Sequence, residues 1–594
     1  MKIVLSTLNA KYIHTSLALR YLKAFCEREF AVEIAEYTIK DPEMNIVSDL
    51  FNRAPDVVGF SCYIWNIEET ITVIDMLKKV KPDVKIVLGG PEVSYDTKEW
   101  MERLPQVDFI VMGEGEETFH HLLTELSGEQ KFHFVFGLAW RKGDEIIINP
   151  PRPKLDLNKI PSPHRFEEDL PHLPNRVVYF ETSRGCPFSC QFCLSSIEVG
   201  VRYFDIERTK QDLLYLIRNG AKLIKFVDRT FNIKRDYALE IFQFLIDHHG
   251  GCTFQFEITA DIMRPEVLDF LAEKAPPGIF RFEIGVQSTN DPTNEAVKRR
   301  QNFAKLSRTV TKIKESGKIA QHLDLIAGLP LEDYNTFKKT FNDVFALRPE
   351  ELQLGFLKML RGTGMRLEAE KYGYVFMEKA PYEILGNEIL PFSDIVRIKR
   401  VEDVLEKYWN AHRMDHTISY LVEREFPSPF DFFQDFGDFW ERKGWQKIGH
   451  QLEDLFTRLH AFLLERATRH LDLILGLMKY DYYLGHKHRP RKVWWELSLS
   501  KEEQAALLRQ AAEQPELLSG DFANLGLSER DLFKHAVVDM LPFDLDVYLR
   551  TGEILRRDVA LFAVYRPDQG MSARCYTMPV NDRQVPPPDV RKAV

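Results

Sequence analysis

From Met1 to about residue 130, short apolar runs alternate with amphipathic stretches, the pattern of strands and helices taken in turn. Ile3–Ser6, Ala31–Glu36, Val57–Ser61, Lys85–Leu88 and Phe109–Met112 read as strands. Together they predict a doubly wound, flavodoxin-like parallel sheet. Several of these runs end in small or polar residues: Ser6-Thr-Leu-Asn9, Ser61-Cys-Tyr-Ile-Trp65, Gly89-Gly-Pro-Glu92 and Gly113-Glu-Gly-Glu116. In open α/β sheets ligands collect at the carboxyl ends of strands, and glycine lets backbone come close to them. A single Gly-Gly-Pro is more often a turn than a binding loop. Four such loops at one edge predict a large ligand touching Asn9, Ser61, Cys62, Gly89, Gly90, Gly113, Glu114 and Gly115.

Residues 134–175 break the alternation. Val135–Arg141 and Glu145–Asn149 read as a hairpin, followed by Pro150, Pro151, Pro153, Pro161, Pro163, Pro171 and Pro174. Proline at this density makes an extended connector. Alternation resumes over residues 176–378, with strands expected at Val177–Thr182, Leu223–Val227, Thr253–Ile258, Phe280–Val286, Gln321–Ala327 and Glu351–Phe356. Six β/α units predict a partial (β/α)6 barrel, with its chemistry at the strands' carboxyl ends. Over residues 379–594, long amphipathic stretches such as Ile395–His412 and Ile448–Arg469 predict a mostly helical domain. Ser500-Lys-Glu-Glu503 has the form of a capping box opening a helix to about Glu513. The tail around Pro586-Pro-Pro588 reads as disordered.

At 594 residues the chain exceeds one ordinary core. With 44% apolar and 28% charged residues it reads as globular throughout. The apolar start meets Asn9 and Lys11 too early for a signal peptide, and the run Leu471–Met478 is short and carries Asp472. A soluble, cytoplasmic protein with no membrane partner is expected. A net charge of −10 disfavours nucleic acid as a partner for the whole surface. The basic and aromatic stretch Tyr482–Trp495 reads as a solvated loop ahead of an RNA-stacking patch.

The densest chemistry is Glu181-Thr-Ser-Arg-Gly-Cys-Pro-Phe-Ser-Cys-Gln-Phe-Cys193, where three of the seven cysteines, Cys186, Cys190 and Cys193, crowd together. In a reducing compartment such thiols point to a metal or cluster rather than to disulfides. Four thiolates close a structural site, whereas three leave one metal position open. Buried inert cysteines, or a zinc site completed by a distant ligand, are the plainer alternatives.

The C-x3-C-x2-C spacing, with Phe192 before the last cysteine, resembles the radical S-adenosylmethionine (radical SAM) superfamily. The resemblance implies an iron–sulfur (4Fe-4S) cluster held by Cys186, Cys190 and Cys193. The remaining iron would chelate S-adenosylmethionine, whose reductive cleavage releases a 5′-deoxyadenosyl radical. It further implies Phe192 as a neighbour of the adenine and Asp228, Glu257 and Gln287 as hydrogen-bonding partners of S-adenosylmethionine. Gln287 stands where many relatives carry glutamate. A strand-end polar group satisfying nearby backbone is the alternative for each. Leu360-Arg-Gly-Thr-Gly364 resembles the family's closing loop.

Residues 1–133 resemble the cobalamin-binding domain that precedes many radical SAM domains, which implies cobalamin on the glycine-bearing loops. The Asp-x-His-x-x-Gly signature is absent, and His14 reads as a helix-start or solvent residue, so cobalamin is expected without a protein histidine below cobalt. Cys26 and Cys62 are too few for the second cluster of methylthiotransferases, and Cys26 reads as core.

The domains expected are therefore a cobalamin-binding domain (1–133), a hairpin and proline-rich linker (134–175), a radical SAM domain (176–378) and a helical C-terminal domain (379–594). The resemblance implies a cobalamin-dependent radical SAM enzyme that methylates an unactivated carbon of an unknown substrate, reduced by a partner such as flavodoxin or ferredoxin. A cobalamin-assisted oxidative cyclase or other radical rearrangement would use the same two domains. RNA modification and a non-catalytic cobalamin or redox sensor are readings of other classes.

Overall fold

The computed structural model describes residues 1–197, 200–566 and 571–580. It divides into two compact units, Met1–Ile395 and Val396–Val594.

The first unit opens with strands β1 (Lys2–Asn9), β2 (Ala31–Thr38), β3 (Val57–Ser61), β4 (Lys85–Gly89) and β5 (Phe109–Val111). They are parallel neighbours in the order β2-β1-β3-β4-β5. Alternate residues serve opposite faces, as a strand's period of two requires. Val4, Val58, Ile86 and Ile110 join one buried cluster, while Ile3, Val57, Val87 and Phe109 join another. Cys26 lies in the second cluster, as its helical position suggests. The hairpin β6 (Leu138–Lys142) and β7 (Glu145–Ile148) does not stay with the connector. It extends this sheet antiparallel to β5, giving seven strands.

The connector runs along both α/β layers. Leu155, Leu157 and Ile160 pack with Tyr21 and Phe204. Arg20, nearly buried, pairs with Glu36 at 3.1 Å and with Asp169 at 2.6 Å. Beyond it come β8 (Val177–Phe180) and a short antiparallel hairpin, β9 (Ser183–Cys186) with β10 (Gly200–Tyr203), which brackets the cysteine loop. Then β11 (Leu223–Phe226), β12 (Thr253–Ile258), β13 (Phe280–Gln287), β14 (Ile319–Ala327) and β15 (Glu351–Phe356) complete a six-stranded parallel sheet with β8. Neighbours in this sheet are also consecutive in sequence once the β9–β10 hairpin is set aside, the arrangement of an open β/α barrel. The helix-facing residues Phe226, Phe254, Phe256, Phe280 and Phe282 are buried. On the alternate positions charges pair with one another: Lys225 meets Glu283 at 2.8 Å, and Arg281 meets Glu351. A small pair, β16 (Val375–Phe376) with β17 (Ile384–Gly386), follows the barrel.

A third tie joins the loop after β15 to the first sheet's helices. Arg361 pairs with Asp96 at 3.0 Å and Glu99 at 3.0 Å, and Tyr382 donates to buried Glu92.

In the second unit, helices such as Pro429–Arg442, Leu452–Glu465 and Leu471–Gly485 supply the expected amphipathic faces. The Ser500 capping box forms, and its helix spans Lys501–Glu513. The region is mostly helical, as expected, and adds one antiparallel sheet that the pattern did not predict, of β18 (Ala536–Leu541), β19 (Val559–Arg566) and β20 (Met571–Pro579). Short apolar runs such as Val559–Tyr565 carry no period that separates a buried strand from a buried helix. Within this unit Lys479 and Asp539 are buried as a pair 2.9 Å apart, and Asp539 also accepts from Tyr483 and Trp495. Tyr482, Tyr483 and Trp495 are therefore core, and the basic side chains between them are exposed. The Pro586-Pro-Pro588 tail lies outside the described residues. Among the described residues no helix is long and apolar enough to cross a membrane.

Arg361→Ala should leave Glu92 buried without its cation and lower the stability of the first unit by about 2 kcal/mol, discounted because Asp96 and Glu99 are exposed. Urea unfolding followed by tryptophan fluorescence checks this. Lys98→Ala, in an exposed pair with Glu102, should stay within about 0.5 kcal/mol of wild type.

Candidate active site

The carboxyl ends of β1, β3, β4 and β5 open on a cavity of about 740 Å³ whose other wall belongs to the barrel. Of the eight residues predicted at this edge, seven line it: Asn9, Ser61, Gly89, Gly90, Gly113, Glu114 and Gly115. Cys62 does not. Its thiol is fully buried in the hydrophobic cluster under the sheet, near the Phe60 carbonyl, and burial pushes its pKa far up. Residues at successive strand-end positions point to opposite sides, so Ser61 faces the cavity and Cys62 the core. Gly90 is compelled by geometry, since its φ is +108° and a Cβ would lie 2.5 Å from the Cys62 carbonyl oxygen. Glu114 is spent on structure, accepting from Arg202 and from the Leu155 N–H at 3.1 Å. Burial opposes its charge, yet these donors and Arg184 hold its pKa below the usual range.

Other residues at this edge escaped prediction. Asn66, fully buried, donates to the Ser61 and Leu8 carbonyls and accepts from the Tyr63 N–H, so it sets the path of the β3 loop. Tyr63 and Trp65 stack with centroids 4.2 Å apart, and both line the cavity. His14 also lines it rather than facing solvent, and its Nδ1 lies 2.7 Å from the Tyr179 hydroxyl. Burial lowers the pKa of that imidazole.

A second cavity, of about 260 Å³, lies at the carboxyl ends of the barrel strands. Cys186, Phe192, Cys190 and Cys193 line it together with Glu257 and Gln287. Burial raises the thiol pKa of Cys186 and of Cys190. The Ser196 hydroxyl caps the loop at the Cys190 and Cys193 carbonyls, at 2.7 and 2.6 Å. Among the described residues no group of three His, Cys, Asp or Glu side chains stands ready for a single metal ion. Three thiols spread around one cavity suit a multinuclear cluster, in which each thiolate binds a different iron.

Gln287 ends β13 at a register shift and has a φ of +69°, a costly conformation for a residue with a Cβ. Its Oε1 is buried and without a hydrogen-bond partner. An unmet acceptor held in a strained conformation at a cavity calls for a donor from a ligand. Burial raises the Glu257 carboxyl to about 7, against the pull of Arg229 at 3.9 Å.

Asp228 departs from expectation, since it lines neither cavity. Almost wholly buried, it accepts from the Thr182 N–H at 3.0 Å, the Thr182 hydroxyl at 2.7 Å and the Ser183 hydroxyl. It thereby ties the strand leading into the cysteine loop to the end of β11. Arg299, which the motif did not flag, donates to the Gly285 carbonyl and brings its guanidinium to 3.9 Å from the Cys190 sulfur.

Family models match this architecture in three stretches. Residues 3–123 match the B12 binding domain, and residues 180–344 match the radical SAM superfamily. The chain thus carries a radical SAM domain after a B12 binding domain. Residues 370–562 match a third family model, described as a protein of unknown function (DUF4080). The chain is similar to the cobalamin-dependent radical SAM methyltransferase TokK of Streptomyces tokunonensis, 28% identical over 63% of this chain and 58% of that protein. It is also similar to the uncharacterized methyltransferase PH0819 of Pyrococcus horikoshii, 31% identical over 38% of this chain and 51% of that protein. The chain thus spans little more than half the length of these relatives. Its fold matches the radical S-adenosylmethionine methyltransferase TsrM of Kitasatospora setae, solved with cobalamin and a 4Fe-4S cluster. The TM-score is 0.53 at 18% identity, covering 64% of this chain and 76% of that one.

Asp228→Asn puts an amide donor against donors already facing that site, which should cost about 2 kcal/mol locally and loosen the cysteine loop. Alkylation of Cys186, Cys190 and Cys193 in the unreconstituted protein should then accelerate, while the core thiols Cys26 and Cys62 keep their wild-type rates. Mass spectrometry of the labelled peptides reads both.

Proposed function

We propose that the protein is a cobalamin-dependent radical SAM methyltransferase acting on a small molecule. One feature of the first unit carries this reading: the cysteine-lined cavity and the glycine-lined cavity share a wall, with Arg229 bordering both. When bound, a 4Fe-4S cluster supplies the electron that cleaves S-adenosylmethionine, and cobalamin supplies a transferable methyl group.

In this reading Cys186, Cys190 and Cys193 hold the cluster, and the aromatic edge of Phe192 borders the adenine. Gln287 Oε1 receives a donor from S-adenosylmethionine, and Glu257, charged above about pH 7, takes another. The backbone around Gly89, Gly90, Gly113 and Gly115, with Asn9 and Ser61, seats cobalamin. Cys62 and Asp228 hold these loops in place from outside both cavities, and Glu114 lines the larger cavity while accepting from Arg202 and the Leu155 N–H. Tyr63 and Trp65 narrow the larger cavity and exclude water from it. The reaction needs an external reductant, for which flavodoxin or ferredoxin is suited, and reduced thiols suit the cytoplasm.

Anaerobic reconstitution should load about four irons and one cobalt per chain. Replacing Cys186, Cys190 and Cys193 by alanine should remove the iron and end release of 5′-deoxyadenosine from S-adenosylmethionine, with cobalt still bound. A full cluster without that release would leave a sensor in place of an enzyme. Gain of one methylene in a product identifies methylation, whereas loss of hydrogens without added carbon identifies the cyclase chemistry.

A further inference from the structure

Arg229 is the cation of the site with the fewest commitments. Arg184 pairs with Glu116 at 2.6 Å and Glu181 at 2.8 Å, and Arg299 is bonded to Gly285 and Gln301. The Arg229 guanidinium has one ion pair, the long 3.9 Å contact with Glu257, lies within electrostatic reach of Tyr63, and donates no hydrogen bond among the described residues. Its side chain is 55% exposed, and it opens onto both cavities. Guanidinium carries five N–H donors in a planar fork that matches carboxylate or phosphate oxygens. Its base is rigid, because the preceding residue Asp228 is pinned by Thr182 and Ser183. A cation on a fixed base, with donors that no protein group uses and a place on both cavities, suits an anion.

The geometry points to Arg229 as the anchor for a carboxylate or phosphate of the methyl-accepting substrate, so that the substrate is an oxyanion. This rests on the two-cofactor reading. Two other oxyanions could claim the same fork, the carboxylate of S-adenosylmethionine and the phosphate of cobalamin, and the test separates them.

The test uses reconstituted protein carrying cluster, S-adenosylmethionine and cobalamin, treated anaerobically with the arginine reagent phenylglyoxal and read peptide by peptide. Arg229 should react in the loaded protein. Succinate or inorganic phosphate should slow its modification roughly fivefold or more relative to chloride at equal ionic strength. Arg235, exposed and paired only with Asp236, should keep its rate. Arg229→Lys, which keeps a positive charge beside Glu257, should bind S-adenosylmethionine and cobalamin within about twofold of wild type. The proposal is overturned if neither anion slows the reaction, or if a single cofactor already shields Arg229. It also falls if Arg229→Lys loses about tenfold or more in affinity for a cofactor, since the fork then belongs to that cofactor. Failure to load the cofactors at all sinks the two-cofactor reading first, so the two failures are told apart.

Discussion

Arg184 is the contact on which the site depends. It stands two residues before the first cysteine, mostly buried, and pairs with Glu181 on its own strand end and with Glu116 and Glu114 on the β5 loop of the other sheet. A guanidinium taken out of water is tolerated only when its donors are met by carboxylates in good geometry. The relation between the two sheets is therefore specified as well as stabilised. A shift of either sheet would strand the cation or one of its carboxylates. Arg20 and Arg361 repeat the device at other points of the same unit, Arg20 joining a helix and strand of the first sheet to the connector and Arg361 joining the loop after β15 to the helices of the first sheet.

With the sheets held in this way, the two edges that bind ligands face a common space. Each edge relies on backbone rather than on long side chains. Gly90 brings the β4 loop onto the β3 loop at a distance no Cβ would allow, and the register shift at Gln287 sets that residue on the cavity the cysteines line. Phenylalanines fill the layer between the barrel strands and the helices, so the polar groups along the other face of the strands pair among themselves. This leaves the carboxyl ends to carry chemistry. Strain at Gln287 is a cost that the fold supports and a ligand would offset.

Much of this was legible in residue order. Apolar runs marked the parallel strands to within a few residues, glycine-bearing loops marked the first edge, and the cysteine spacing marked the second. What the pattern could not convey is direction. Cys62 and Ser61 are adjacent, but only the pleat decides which of them sees the cavity. Asp228 sits at a strand end, as a ligand-binding carboxylate would, yet its oxygens turn inward to Thr182 and Ser183. Arg229 lies in the strand-end stretch Asp228-Arg-Thr-Phe-Asn232, where only Asp228 drew attention, and Arg299 belongs to no motif; the importance of both comes from contacts made after folding. The β9–β10 hairpin is too short for periodicity to register, and β18–β20 are apolar runs that fit helix or strand alike.

The central claim is that one unit holds two redox-active cofactors in adjoining cavities. Pulsed electron paramagnetic resonance on reconstituted protein, with the cluster reduced and cobalt in its paramagnetic divalent state, tests it most directly. Adjoining cavities predict a dipolar coupling between the two spins that disappears when Cys186, Cys190 and Cys193 are replaced by alanine. Two independent signals in fully loaded protein, with no coupling between them, would contradict the account.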